Sequence, residues 1–272
     1  MSLRRFRSGA LAWAPLLFLL AAAAPPCGAV SVSLAPPIIE KEARPGQKIH
    51  DTISYINNGD QAVTVSVSVV DFDVNDQYDV LEQPPGATPA TLAPYVRVAP
   101  TEIRVAPGQQ IFFRYSVEAP PSFTHLRGMV YFLTQPEVPD GGQAQVTVAS
   151  RMGIPLYVEG AGAAPARLKV HSLDWKRSGE AGSSIELSLA VTNEGERLIR
   201  PTGYLEVRSP DGRFLKTFPF NEGKLPLFPG SSRRLELDFG PVPGGELFLR
   251  LRFDDSWRTQ FKSESRLPAW PG

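Results

Sequence analysis

Cysteine is nearly absent: the 272 residues hold one, so neither a disulfide framework nor a multi-cysteine zinc module can hold the fold together. Histidine is almost as rare, and His50, His125 and His171 lie far apart, with no HxH or HxxxH pair to suggest a metal site. Neither sign of charge dominates. Lys+Arg and Asp+Glu number 28 each, which excludes a nucleic-acid binder that works through a basic surface. No apolar run beyond the N-terminal segment approaches the about 20 residues of a membrane-spanning helix, so no transmembrane anchor is expected. The GxSxG elbow of hydrolases and the phosphate-cradling GxxxxGK loop are also missing. These absences point to a protein with no catalytic role and no cofactor.

What is present is proline, glycine and alternating apolar residues. With 27 Pro and 23 Gly, long helices are hard to place, while a 42% hydrophobic content supplies enough apolar mass for a core. Residues 1–29 read as a secretory signal: Arg4, Arg5 and Arg7 form a basic start, Ala10 to Ala24 an apolar stretch, and a cut after Ala29 is plausible. Cleavage removes three arginines and no acid, leaving a slightly acidic chain without cysteine. Cys27 is a candidate lipidation site, but Ala24-Pro25-Pro26 ahead of it is not the Leu-and-small-residue lead that lipidation uses. The expected location is the periplasm, or else the medium or cell surface.

The exported part reads as strands and turns. In Val63-Thr64-Val65-Ser66-Val67-Ser68-Val69 every second residue is apolar, which puts the valines on one sheet face. Ile49 to Ile56 reads as the strand before it, and Asn57-Asn58-Gly59-Asp60 supplies residues that tolerate positive φ, so the pair is expected to form a hairpin. Further strands are expected at 95–98, 102–105, 111–117, 128–134 and 143–158, and after them at 168–170, 185–191, 234–239 and 247–253, with a hairpin about Ser209-Pro210-Asp211-Gly212. Residues 159–166 are small and almost uncharged and read as a linker. The order strand, Asn/Gly turn, strand, Pro-Gly turn, strand occurs on both sides of it. Ile53–Ile56 enters Asn57-Asn58-Gly59 and Pro107-Gly108 precedes Phe112-Phe113; Leu187–Val191 enters Asn193-Glu194-Gly195 and Pro229-Gly230 precedes Leu235. The expected fold class is therefore all-β, two tandem immunoglobulin-like β-sandwiches after a cleaved signal peptide, over 30–158 and 167–255. A single elongated all-β domain is the alternative. Residues 256–272 mix charges without periodicity and read as a flexible tail.

The first sandwich resembles the N-terminal domain of periplasmic pilus-assembly chaperones of the PapD type. The resemblance rests on four segments in family order: VSVSLAPPIIEKEARPGQKI, ISYINNGDQAVTVSVSVVDFD, YVRVAPTEIRVAPGQQIFFRYSVEAPP, and GMVYFLTQP followed by QVTVASRMGIPLYV. It covers about residues 31–158; the second half carries no readable match to the family's second domain. The resemblance implies a chaperone that lends an edge strand to an incomplete extracytoplasmic pilin-like subunit. That strand would lie in Gln143–Tyr157, with Val146, Val148, Arg151 and Ile154 as client-binding residues. The same side chains could instead close their own sandwich. The family also implies a basic pair between the domains that holds a client carboxylate; here the bases nearest those places are Lys41 and Arg44, with Arg151 in the last strand. The other reading of the chain is a periplasmic or cell-surface adaptor or adhesion protein that recognises a protein or a cell-wall glycan by flat contact.

Two further features stand out in the sequence. Asp71, Asp73, Asn75, Asp79 and Glu82 fall at positions 1, 3, 5, 9 and 12 of a calcium-loop spacing, but position 6 is Asp76 where the turn wants Gly, and a strand precedes it where a helix should. A solvated acidic turn accounts for the pattern as well. Trp175 and Trp257 read as packing residues of the second sandwich, and Trp270 falls in the Pro-flanked tail.

Overall fold

The computed structural model describes residues 30–75, 79–137, 148–220, 226–253 and 262–269. Residues 1–29, expected to be a signal segment and including Cys27, and also Val146, Asp76, Trp257 and Trp270, lie outside the described residues. Among the described residues every regular element is a strand apart from two single 3₁₀ turns, as the proline and glycine content implies.

The first half contains ten strands: β1 (Val32–Ala35), β2 (Ile39–Ala43), β3 (Lys48–Asn57), β4 (Val63–Val74), β5 (Val80–Gln83), β6 (Val96–Ala99), β7 (Glu102–Val105), β8 (Gln110–Glu118), β9 (His125–Pro136) and β10 (Ser150–Gly160). They form a four-stranded sheet in the order β1-β3-β8-β6 and a six-stranded sheet in the order β2-β10-β9-β4-β5, with β7 also on β4. Alternation decides which side chains meet. Ile53 and Tyr55 of β3, Phe113 and Tyr115 of β8, Val63 and Val65 of β4, and Val130 and Phe132 of β9 are all buried in one core. Tyr55, Phe113 and Phe132 pack ring against ring, and the Tyr55 hydroxyl shares a 3.0 Å hydrogen bond with Thr134.

The expected hairpin does not form. β3 lies in the four-stranded sheet and β4 in the six-stranded one, so the chain crosses between sheets at residues 58–62. Both strands carry a buried apolar row, and the two rows face each other across one core. None of Asn57, Asn58, Gly59 and Asp60 adopts positive φ. Asn57 instead acts as a strut, donating from Nδ2 to the carbonyls of Gln61 at 2.7 Å and Val105 at 3.2 Å.

The second half contains β11 (Leu168–Ser178), β12 (Ser184–Asn193), β13 (Gly203–Arg208), β14 (Phe214–Phe220), β15 (Ser232–Phe239), β16 (Leu247–Phe253) and β17 (Lys262–Leu267). The sheets β11-β12-β15 and β14-β13-β16-β17 enclose a separate core that includes Leu187, Leu189, Leu205, Val207, Leu249 and Leu251. β13 and β14 make the expected hairpin about Pro210-Asp211-Gly212. Trp175 packs against this core, with its indole N–H on Ser265 at 3.1 Å. The flexible-tail expectation is corrected over Lys262–Leu267. β17 pairs antiparallel with β16, and Leu267 is buried. Six residues with one apolar member inside are too short and too charged to show a period.

The segment between the sandwiches is also tied down. The Ala161 N–H donates to Ala43 O at 2.9 Å and the Ala164 N–H to the Glu196 carboxylate at 2.7 Å. Phe72, Met129 and Tyr157 from the first sandwich and Phe228 from the second form a small buried cluster between the two. At its rim Arg197 pairs with Glu42 at 3.1 Å and Arg200 with Glu40 at 2.5 Å.

Candidate functional site

The last strand of the first sandwich is half covered. Along its whole length β10 pairs antiparallel with β9, from Ser150 opposite Thr134 to Glu159 opposite His125. On its other side β2 pairs with it in parallel, and that ladder begins at Leu156 opposite Ile39. From Ser150 to Pro155, therefore, β10 has a neighbour on one side and none on the other among the described residues. The cause lies in the opening strands. β1 edges one sheet and β2 edges the other, and the chain passes between them at Pro36-Pro37-Ile38, too far along to cover the start of β10.

Burial on the core face of this strand ends further out, between Ile154 and Met152. Even-numbered residues lie on the core face, opposite the buried Thr134, Phe132 and Val130. Ile154 is 2% exposed and Leu156 0%, whereas Met152 is 37% and Val148 68% exposed. One apolar row thus begins in the core and runs out into solvent. Val148 lies two residues before the start of β10 and is exposed. Ile154, expected to be a client contact, is a core residue of its own sandwich, packed in the same cluster as Tyr55 and Phe113 of the opposite sheet.

The basic residues do not converge. Arg151, on the opposite face of β10, donates through both terminal nitrogens to Glu82, one bond being 3.1 Å, and its guanidinium lies 3.6 Å from the Tyr131 ring centre. The hydrogen bond from Arg151 holds the Glu82 carboxyl below the usual carboxylate range. Lys41, in β2, is bound to Asp51 of β3 at 2.6 Å, and that bond pulls the Asp51 carboxyl down. Arg44 follows β2, with its backbone N–H on Gln47. An interdomain clamp built from Lys41, Arg44 and Arg151 is not assembled: they stand in three separate surroundings.

The acidic run is similarly dispersed. Asp71 is buried and accepts from the N–H groups of Gly86 at 2.9 Å, Leu92 at 2.9 Å and Ala93 at 3.0 Å, and from the Thr91 hydroxyl, so it fastens the 84–93 loop to β4. Asp73 pairs with Arg127 at 3.2 Å, Asp79 bonds with Asn75, and Glu82 belongs to Arg151. Asp71 and Asp73 lie opposite Gln83 and Leu81 in a two-strand ladder, which spreads the carboxylates along a ribbon, whereas a calcium loop wraps them around a point. No group of three or more metal-ligating side chains occurs among the described residues.

The fold is similar to solved chaperones of pilus assembly. One is the chaperone–tip adhesion subunit pre-assembly complex CsuC–CsuE from the archaic chaperone-usher Csu pili of Acinetobacter baumannii, 11% identical with a TM-score of 0.44, where 88% of this chain and 98% of that chain are covered. Another is the Salmonella enterica SafA pilin in complex with the SafB chaperone, 16% identical with a TM-score of 0.44, covering 88% and 97%. The E. coli chaperone DraB is 17% identical with a TM-score of 0.41, covering 88% and 98%. No protein-family model and no curated protein matches the sequence.

Between the sandwiches lies an arginine that the sequence reading missed. Arg127, buried in β9, donates from Nε to Phe72 O at 2.9 Å and stacks 4.3 Å over the Phe228 ring. Burial pulls its guanidinium below the ordinary arginine value while Asp73 pushes it back. The signal available was one cation inside the apolar run Leu126-Arg127-Gly128-Met129-Val130. His125 beside it bonds through Nδ1 to Glu159 at 2.9 Å, and that carboxylate also accepts the Leu198 N–H of the second sandwich at 3.0 Å.

An edge of this kind has a definite chemistry. Backbone N–H and C=O groups without a partner strand are a template for another chain, and an apolar row beside them supplies side-chain affinity of about 1.5–3 kcal/mol for each fully buried Val or Met. The described residues contain no helix long and apolar enough to cross a membrane.

Proposed function

We propose that this is a non-catalytic, exported, chaperone-like protein that binds an extracytoplasmic protein subunit by β-strand addition. The observation that carries the reading is the half-open β10: Ser150–Pro155 is paired on one side, Met152 extends the core row into solvent, and the exposed Val148 lies just ahead of the strand. A pilin-like subunit lacking one strand has the complementary deficit, an apolar groove and unpaired edge groups. The displaced bases make backbone pairing and the apolar row the main source of affinity here, with no carboxylate clamp from Lys41, Arg44 and Arg151.

Co-expression with candidate subunits tests the proposal. A one-to-one complex in which the client becomes resistant to protease, lost on Val148→Glu, supports it. A complex that forms equally well with Val148→Glu and leaves the client's protease sensitivity unchanged points to the adaptor reading and overturns strand addition.

A further inference from the structure

A second site, independent of the β10 edge, lies on the solvent face of the four-stranded sheet. β8 runs between β3 and β6, and its Ser116 is in register with His50 on one side and Arg97 on the other. Neighbouring strands are about 4.8 Å apart, so imidazole, hydroxyl and guanidinium form one short row. The alternate residues Val96, Tyr115 and Val117 are core, which turns this row outward.

The row forms part of the lining of a cavity of about 370 Å³. Pro94 and Tyr95, from the 3₁₀ turn before β6, contribute to one side, and Pro120 and Pro121, from the end of β8, to another. Prolines hold their backbone φ fixed, so the walls are preformed. Arg97 donates from one terminal nitrogen to Pro94 O at 3.0 Å and Val96 O at 2.9 Å, which orients the guanidinium while sparing its other donors.

Charge in the cavity is not balanced. Lys48 pairs with Glu118 at 3.3 Å in the next row. Arg97 has no carboxylate partner among the described residues, and Arg114, two residues from Ser116 on the same face, has none either. A planar guanidinium with donors to spare, beside a hydroxyl and an imidazole, suits a carboxylate, which it can bind in a two-pronged fashion. The apolar walls suit a flat body attached to it, and the volume is that of a small-ligand pocket.

We propose that this cavity binds a small organic carboxylate with a flat apolar body, its carboxylate on Arg97, Ser116 and His50 and its body between Tyr95 and the prolines. Benzoate is the probe, with its neutral isostere benzamide and inorganic sulfate as the comparison arms. The full chain, isotopically labelled, is titrated with each to millimolar concentration and followed by amide shifts. The expected result is saturable benzoate shifts confined to residues around 48–50, 94–97 and 116–121, a loss of affinity of about tenfold or more on Arg97→Gln, and a smaller loss on His50→Gln. Binding of benzamide as tight as benzoate removes the carboxylate from the proposal, and sulfate binding as tight as benzoate removes the apolar body. No saturable shift, or an Arg97→Gln variant that binds like the parent, overturns it altogether. Both side chains are exposed, so the variants should fold, and an unchanged circular dichroism spectrum and melting point verify this.

Discussion

Asn57 in the first sandwich and Asn193 in the second make the same set of hydrogen bonds. Asn57 donates to the carbonyl of Gln61 at 2.7 Å and of Val105 at 3.2 Å, and accepts the Gly59 N–H at 3.0 Å. Asn193 donates to Arg197 at 2.7 Å and Leu227 at 3.1 Å, and accepts the Gly195 N–H at 3.0 Å. The backbone repeats the match: the Gly108 N–H reaches Asn57 O at 2.8 Å, and the Gly230 N–H reaches Asn193 O at 2.9 Å. Both glycines follow a proline and adopt positive φ, +69° and +72°, a conformation that only glycine takes without strain. Asn57 therefore joins the two sheets of its sandwich through one buried amide, and Asn193 ties β12 to the Ile199–Leu227 bridge in the same way.

Replacing either asparagine by alanine removes a buried donor from two carbonyls. Each of Asn57→Ala and Asn193→Ala is expected to lower the stability of its own sandwich by about 1–3 kcal/mol. Urea denaturation with a probe in each half measures this. In the Phe228→Ala background, where the two sandwiches are expected to unfold separately, equal losses in both halves from one substitution would contradict the assignment of one arch to each sandwich.

Val148, just ahead of β10, and Ile154, within it, differ in surroundings, and their variants should differ accordingly. Val148→Glu is expected to leave the unfolding midpoint within about 0.5 kcal/mol of the parent, as at other exposed sites, while abolishing capture of a subunit. Ile154→Ala should cost about 2–4 kcal/mol of stability by opening a cavity. Urea midpoints measured beside client pull-down separate the two effects.

How far these features could be read in the sequence depended on how local their cause was. The strand at Glu102–Val105 and the one at Leu247–Phe253 have their observed bounds in the sequence itself, because turn residues flank them and alternation fills them. The echo of Asn57 in Asn193 was legible as a repeated order of turns. The β3–β4 crossing was not, because an Asn-Gly turn looks alike whether the chain returns beside itself or passes to the opposite sheet; the distant carbonyl of Val105 decides it. β17 carries one buried apolar residue, Leu267, and owes its existence to the open side of β16. At the candidate site, the apolar alternation through Val148 was visible, but where β2 stops covering β10 is a matter of register between strands over a hundred residues apart. Arg151 was visible as a base, and its capture by Glu82 on the opposite face was not.

Tyr157 makes stability depend on alkaline pH. It is buried beside Phe72 and Phe228, and burial is the main cause that pushes its phenol up to about 12, against an ordinary value near 10. A folded-state value above the unfolded one means that the contribution is fully present below pH 10. It is lost as pH rises towards 12, because the unfolded chain releases the proton first. The stability difference between the parent and Tyr157→Phe should therefore fall by about 2–3 kcal/mol across that window. Other tyrosines titrate in both proteins and cancel in the difference. Urea midpoints at intervals between pH 9 and 12 check it, and parallel curves for the two proteins would show that burial does not hold this phenol neutral.

Phe228 joins the two sandwiches more than the ion pairs around it do. Its ring centre lies 6.2 Å from those of Phe72 and Tyr157 and 5.8 Å from His125, and the Arg127 guanidinium covers its face. The rim pairs Arg197–Glu42 and Arg200–Glu40 each involve an exposed carboxylate, and exposed pairs contribute about 0–1 kcal/mol. Removing an enclosed phenyl ring costs about 3–5 kcal/mol. Phe228→Ala should therefore separate a single cooperative thermal transition into two, one for each sandwich, while Glu42→Ala leaves the transition single. Differential scanning calorimetry reads the split, and small-angle scattering reads the accompanying spread in interdomain distance. An unaltered single transition in Phe228→Ala would move the coupling to the segment at Ala161–Ala164, whose backbone bonds to Ala43 and Glu196 also connect the halves.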